Sequence, residues 1–257
     1  MYSLSLTNYA FLLPLIFLAG FVDSIAGGGG LISVPAYLAT GMPPHFVLAN
    51  NKFSSTFGTV LSTYRYNKRK MTDYWVALPG ALFALIGSAL GSRTVLLLDP
   101  SFLNYLLLVL IPVITLFTLF NKNRGGVKKE LNISKWTLLT IASIIGLVIG
   151  FYDGFFGPGT GSLLMFCYIA ILGYDFIGAN ANAKIVNLAS NVAAMITFLI
   201  SGKVVFAIAI PAAAFGIAGN WLGSKIVIQN GAKVIRPFFL LVLLLLFAKI
   251  AYNLIVG

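Results

Sequence analysis

"GFVDSIAGGGG" from Gly20 to Gly30 and "GFYDGFFGPGTG" from Gly150 to Gly161 say nearly the same thing 130 residues apart. Each closes an apolar run with an aspartate and a cluster of glycines. Each is followed by a second matched signal, "ANNKFS" from Ala49 and "ANAKIV" from Ala181. A third pair, "GSALGSR" from Gly87 and "GNWLGSK" from Gly219, keeps nearly the same offset of 132. The register holds through most of both halves, so the chain reads as an internal duplication. In a membrane protein, repeats with interrupted hydrophobic segments are how many carriers build a site near mid-bilayer.

Composition makes this a membrane protein. Hydrophobic residues are 59% of the chain, charged residues 9%, and mean hydropathy is +0.97, whereas a soluble domain carries about 25% charged residues. Apolar runs span Tyr9 to Ala26, Leu31 to Thr40, Phe46 to Tyr64, Tyr74 to Leu98, Phe102 to Phe120, Trp136 to Tyr152, Ser162 to Leu172, Phe176 to Ile200, Val204 to Val227 and Val234 to Val256. Because a helix needs about 20 residues to cross the hydrocarbon, the runs from Leu31 and from Ser162 are too short to span alone. Both follow the glycine clusters, and each reads as a half-helix after a broken or re-entrant segment. The expected fold is an all-α polytopic membrane protein of two internal repeats, with about eight full transmembrane helices.

Lys and Arg number 17 against 6 Asp and Glu, but the basic residues sit mainly between apolar runs. That is positive-inside topology rather than nucleic-acid binding. The polar stretch Asn121 to Lys135 falls midway and is the cytoplasmic linker, dividing a first repeat (1–120) from a second (136–257). "RYNKRK" from Arg65 to Lys70 lies two spans away, on the same side. In the second half the bias moves to the opposite loop, with Lys225, Lys233 and Arg236. Halves inserted upside down relative to each other produce that shift; a parallel arrangement is the alternative. The first segment lacks a basic n-region and is not read as a cleaved signal peptide. One cysteine, Cys167, and one histidine, His45, exclude an internal disulfide and a Cys- or His-rich metal site. His45, at a Pro-Pro turn, and Tyr64, Tyr66, Tyr74 and Trp75 read as interfacial. No nucleotide-binding loop, zinc motif or nucleophile elbow is present, so neither an enzyme nor a cofactor is expected.

Of the six acidic residues, only Asp23 and Asp153 lie inside hydrophobic segments, at equivalent repeat positions. A carboxylate there is costly unless paired, solvated or protonated, so it marks function by default. Two roles are open: hydrogen-bonding the exposed N–H groups of the adjacent glycine turn, or taking up a proton during a transport cycle. The need to satisfy backbone at a glycine break favours the structural role. The breaks, with Gly28 and Gly29 in one and Gly159 and Thr160 in the other, precede half-helices whose N-termini aim free N–H groups and a positive dipole end inward. Lys52 and Lys184 lie early in the following helices, flanked by Asn50 and Asn51 or by Asn182 and Asn187. Snorkelling to the interface is the plain alternative for a lysine so placed; the asparagines, expensive against lipid, argue against it. Two lysines, two asparagine clusters and two helix starts would surround one central cavity suited to a small oxyanion.

At these residues the chain resembles the sulfite exporter TauE/SafE family of membrane permeases, and within it the YfcA-like members. "GFVDSIAGGGGLISVPAYLATGMPP" with "LANNKFSSTFGT" resembles the first-repeat signature, and "GFYDGFFGPGTGS" with "ANAKIVNLASN" the second. Ala183 stands where an asparagine is expected before the lysine. The resemblance implies a multi-pass protein of the bacterial inner membrane that moves sulfur-containing oxyanions such as sulfite or sulfoacetate. The residues themselves give the membrane, the duplication and the anion-suited cavity, but not the sulfur. The expected function is a secondary transporter of small anions working by alternating access, with a proton or sodium ion as candidate coupling partner. An anion channel and a non-transporting assembly or sensor subunit are the alternatives. Oligomeric state, direction and substrate are not legible.

Overall fold

The computed structural model describes residues 4–99, 102, 134–235 and 237. Eight whole helices lie within them: α1 (Leu6–Ala26), α2 (Gly30–Leu38), α3 (Pro44–Lys68), α4 (Tyr74–Leu96), α5 (Lys135–Phe155), α6 (Thr160–Ala170), α7 (Phe176–Ile200) and α8 (Phe206–Asn230). No strand occurs among the described residues. The expected spans Phe102 to Phe120 and Val234 to Val256 and the linker fall almost wholly outside them.

Local chemistry sets the helix ends. Ser5, Ser134 and Asp175 cap α1, α5 and α7, their side-chain oxygens accepting from the N–H groups of Asn8, Thr137 and Gly178. Pro44 opens α3 at a position that needs no N–H. α1 stops at Gly27, which adopts φ 75° and returns its N–H to the Asp23 carbonyl at 2.8 Å. That left-handed conformation is open to glycine at little cost. α2 has nine residues and α6 eleven; at 1.5 Å per residue they are about 14 and 17 Å long, half of a 30 Å hydrocarbon core. They are the two half-helices.

Five helices, α1, α4, α5, α7 and α8, are long and apolar enough to cross a membrane. α3 is as long as α7 but does not qualify by composition, although its sequence reads as a span. The reason is its interior face: Asn50, Asn51, Lys52, Ser54, Thr59 and Ser62 are all buried, and their polar groups are turned away from lipid onto neighbouring helices.

Contacts fix the helix directions. α1 runs alongside α8 in the same sense, from the Tyr9 hydroxyl on the Ala207 carbonyl (3.0 Å) to Ser24 beside Gly223. α3 also follows α8, with Asn50 meeting Val205, and Arg65 donating to the Trp221 carbonyl at 2.7 Å. α4 runs with α5, Gly80 against Gly146 and Gly91 against Phe155. It also runs with α7, Asp73 at its start meeting Asn182, and Ser88 meeting Ser190. α3 and α7 are antiparallel, because Lys52 meets Asn191 while Thr63 meets Lys184. Thus α1, α3 and α8 point one way, and α4, α5 and α7 the other.

Small residues make these crossings close, as their spacing predicts. A Cβ on Gly87 would lie 2.2 Å from the Leu147 carbonyl oxygen, on Gly91 2.1 Å from that of Phe151, and on Gly219 2.0 Å from that of Phe17. The aromatic and basic residues sort less simply. Tyr64, Tyr74 and Trp75 are exposed as expected, and Lys135 and Lys225 lie over the Trp75 and Trp221 rings at 4.0 and 5.3 Å. Tyr66 is instead fully buried, its hydroxyl on the Ser24 carbonyl at 2.7 Å. His45 is buried too, with Nε2 3.0 Å from the Val95 carbonyl. Each ties α3 to a neighbour through a backbone carbonyl near a helix end or break.

Candidate functional site

The two breaks meet at the centre of the structure. Gly27 and Gly161 are packed backbone to backbone, and Ser162 binds the first break with its N–H on the Gly27 carbonyl (3.2 Å) and its hydroxyl on the Ala26 carbonyl (2.7 Å). The turns themselves are closed by main chain: Gly27 N–H reaches the Asp23 carbonyl, and Phe156 and Gly157 N–H reach the Tyr152 carbonyl. Asp23 and Asp153 sit on the last turns of α1 and α5 just before the breaks. The sequence favours carboxylates bound to the N–H groups of the glycine turns; the fold differs, because main-chain carbonyls already fill that role.

Both carboxylates hold lysines instead. Lys52 Nζ on α3 lies 2.6 Å from Asp153 Oδ1 and donates to Asn191 Oδ1 at 3.0 Å; the Ser190 hydroxyl donates to Asp153 Oδ2 at 2.6 Å. Lys184 Nζ on α7 lies 2.7 Å from Asp23 Oδ2 and also donates to the Asp23 carbonyl. Neither lysine snorkels, for both are buried. Each pair joins a lysine from one half of the sequence to an aspartate from the other. The four formal charges sum to zero, which is how ionised groups persist at such depth.

A cavity of about 20 Å³ lies between the breaks. Lys52, Asp153, Asn51, Asn187 and Asn191 give it polar walls, and Gly30 and Thr160 bring the first turns of α2 and α6 to its edge. It has room for about one water. A sulfur oxyanion enters only if the bordering helices separate.

The candidate residues therefore divide. Lys52, Asn51, Asn187, Thr160, Asp23 and Asp153 border one cavity. Lys184 does not; it stands behind Asp23, so the expected convergence of two ammonium groups on one chamber is not what the fold displays. Asn50 accepts the Val205 N–H at 3.2 Å, and Asn182 the Asp73 N–H at 2.8 Å. Both cap neighbouring helices, which explains why asparagine suits those positions without ligand contact. Gly28 and Gly29 accept the N–H groups of Leu31 and Ile32 at the start of α2, and Gly159 is the left-handed N-cap of α6. Neither half-helix has a side-chain cap. Some first-turn donors are already engaged, Thr160 N–H by the Gly157 carbonyl and Ser162 N–H by that of Gly27.

Asn191, Ser190 and Ser55 were not singled out by sequence, yet they border or build the site. A signal existed. Asn180, Lys184, Asn187 and Asn191 fall at helical spacing on α7, and Lys52, Ser55, Thr59 and Thr63 do so on α3, each a polar stripe in an apolar helix.

A family profile described as "Sulfite exporter TauE/SafE" matches residues 12–250. The chain belongs to that family. A "Probable membrane transporter protein" of Haemophilus influenzae is 36% identical over 241 residues, covering 92% of each chain. "Probable membrane transporter protein YfcA" of Escherichia coli K12 is 34% identical, covering 92% of this chain and 87% of its own. A Sinorhizobium relative of the same description, ORF9, is 36% identical over 91% of this chain and 88% of its own. No solved structure matches. The chain is accordingly a multi-pass integral membrane transporter of the TauE/SafE family, not an enzyme, and takes a small-molecule substrate.

Proposed function

We propose that the chain is a secondary transporter of small oxyanions, sulfur-containing ones such as sulfite or sulfoacetate in particular, in the bacterial inner membrane. The observation that carries this reading is the buried Lys52 ammonium. It sits at a cavity walled by asparagine amides and edged by Gly30 and Gly161 in the first turns of the two half-helices, amide donors that suit an oxyanion. The family description adds the sulfur.

In this mechanism the substrate competes with Asp153 for Lys52. Asn51, Asn187 and Asn191 take up its oxygens, and Ser190 holds the displaced carboxylate. Adding one anion to a neutral quartet leaves a buried charge uncompensated, so a proton or sodium ion accompanies it. The opposed directions of α1 and α5, and of α4 and α8, support inverted halves that rock about the crossed α3 and α7. Because each lysine is tied to the other half, rocking and the exchange of ion-pair partners are one motion.

Counterflow in proteoliposomes tests the transport class. Vesicles loaded with unlabelled sulfite are expected to accumulate labelled sulfite transiently, with saturable initial rates. Flux that rises linearly without overshoot assigns a channel. Absence of flux with sulfite, sulfate, thiosulfate, sulfoacetate, phosphate and carboxylates alike removes the transport reading of anions altogether.

A further inference from the structure

The two aspartates are not equivalent. Asp153 has both oxygens engaged, by Lys52 and by Ser190, and its side chain is 2% exposed. Asp23 has one oxygen on Lys184 and its side chain is 15% exposed. At the offset of 132 the counterpart of Ser190 is Gly58, which has no hydroxyl to offer. The Asn220 amide fills the space beside Gly58, and next to it lies a second cavity of about 20 Å³, bordered by Asp23, Ser33, Ser54, Ser55 and Asn220.

The serine hydroxyls around that cavity donate away from it, and Ser54 Oγ also accepts from the Tyr37 hydroxyl at 3.2 Å. Ser33 donates to Asn51 Oδ1 at 2.5 Å, Ser55 to the same atom at 3.4 Å, and Ser54 to the Asn51 carbonyl at 3.1 Å, so each hydroxyl proton points elsewhere. Asn220 donates from Nδ2 to the Gly216 carbonyl at 3.0 Å, while its Oδ1, in a residue 2% exposed, has no partner among the described residues. A buried acceptor left unpaired costs about 1–3 kcal/mol, and Asn220 Oδ1 is such an atom at this cavity.

We infer that this cavity is a sodium site, formed by Asp23, Asn220 Oδ1 and the serine hydroxyls. An all-oxygen set of small size selects a hard cation. One carboxylate, already shared with Lys184, matches a monovalent ion better than a divalent one. Asp23 and Ser55 also border the central cavity. A sodium ion here restores the neutral count when a monoanion binds there, so this inference deepens the oxyanion-carrier reading and supplies its coupling ion.

The test uses the purified full chain in detergent without added oxyanion, exchanging NaCl for choline chloride or KCl at constant ionic strength. Sodium is expected to raise the unfolding midpoint saturably, by about 3–5 °C at tenfold excess over Kd, while choline and potassium leave it flat. Equilibrium binding of radioactive sodium is expected to saturate at one ion per chain and to be lost in Asn220→Leu. The Asn220→Asp variant, which keeps the oxygen, is expected to retain it. No saturable sodium binding in the wild type, the result of a cavity that holds only water, overturns the inference. Binding unchanged in Asn220→Leu overturns it equally. Because no oxyanion is present, failure here leaves the anion reading standing, and sodium binding in a protein that transports no anion would sink that reading alone.

Discussion

Replacing Lys52 with methionine is expected to destabilise the protein by about 3–5 kcal/mol, the cost of leaving a buried carboxylate without its partner. Asp153 is held at 2.6 Å by Lys52 and retains only the Ser190 hydroxyl after the change. The double variant Lys52→Met, Asp153→Leu removes both charges, and most of the lost stability is expected to return, since a buried ion pair exchanged for apolar side chains of similar volume is often near neutral. Transport is expected to be absent from both. Denaturant titration in detergent and counterflow on the same two proteins check the pair of statements. A single variant as stable as wild type contradicts the ion pair; a double variant that still carries substrate contradicts the role of Lys52 in binding.

The second large effect is at the contact between the breaks. Gly27→Ala places a Cβ 2.2 Å from the Gly161 carbonyl carbon and 2.6 Å from Ser162 N, both backbone atoms that cannot swing aside, at a residue with φ 75°. The left-handed backbone costs an alanine about 1–2 kcal/mol, and forcing two main chains apart adds about 1–3 kcal/mol or more. Gly41→Ala separates the two terms. Gly41 has φ 78° but nothing within 4 Å of its Cβ position, so it bears the backbone strain alone. Thermal unfolding of both variants is expected to show Gly27→Ala several degrees below Gly41→Ala. Equal midpoints would mean that the breaks do not pack on each other.

Much of this was legible from sequence, for physical reasons. Hydropathy exposes membrane helices because lipid leaves no choice about which residues face it, and the glycine clusters announce α2 and α6 because a run of nine or eleven residues cannot span. The lysines and aspartates stood out because charge at that depth is rare. What connects them did not stand out. Lys52 and Asp153 are 101 positions apart, and no periodicity within either helix reveals the partner. The sequence points to two ammonium groups around one chamber; the fold instead pairs each lysine with an aspartate from the other half of the sequence and neutralises it. The asparagines misled in a related way. Asn50 and Asn182 resemble Asn51 and Asn187 as residues, but a different face of the same helix makes one a cap for a neighbouring chain segment and the other a cavity wall. The amphipathic chemistry of His45 and Tyr66 points to the interface from sequence, and serves equally to reach a backbone carbonyl inside.

The claim on which the rest depends is that substrate and Asp153 compete for one ammonium group. Anion-dependent thermal stability of Asp153→Asn beside the wild type tests it most directly, using sulfite as the titrant in detergent. With its competitor neutralised, Lys52 is expected to bind sulfite more tightly, so the variant starts less stable than wild type and gains the larger shift at a lower concentration. At a hundredfold excess over Kd, binding supplies about 2.7 kcal/mol. A variant whose stability responds to sulfite less than the wild type, or not at all, would show that Asp153 helps to hold the ligand rather than standing in its place.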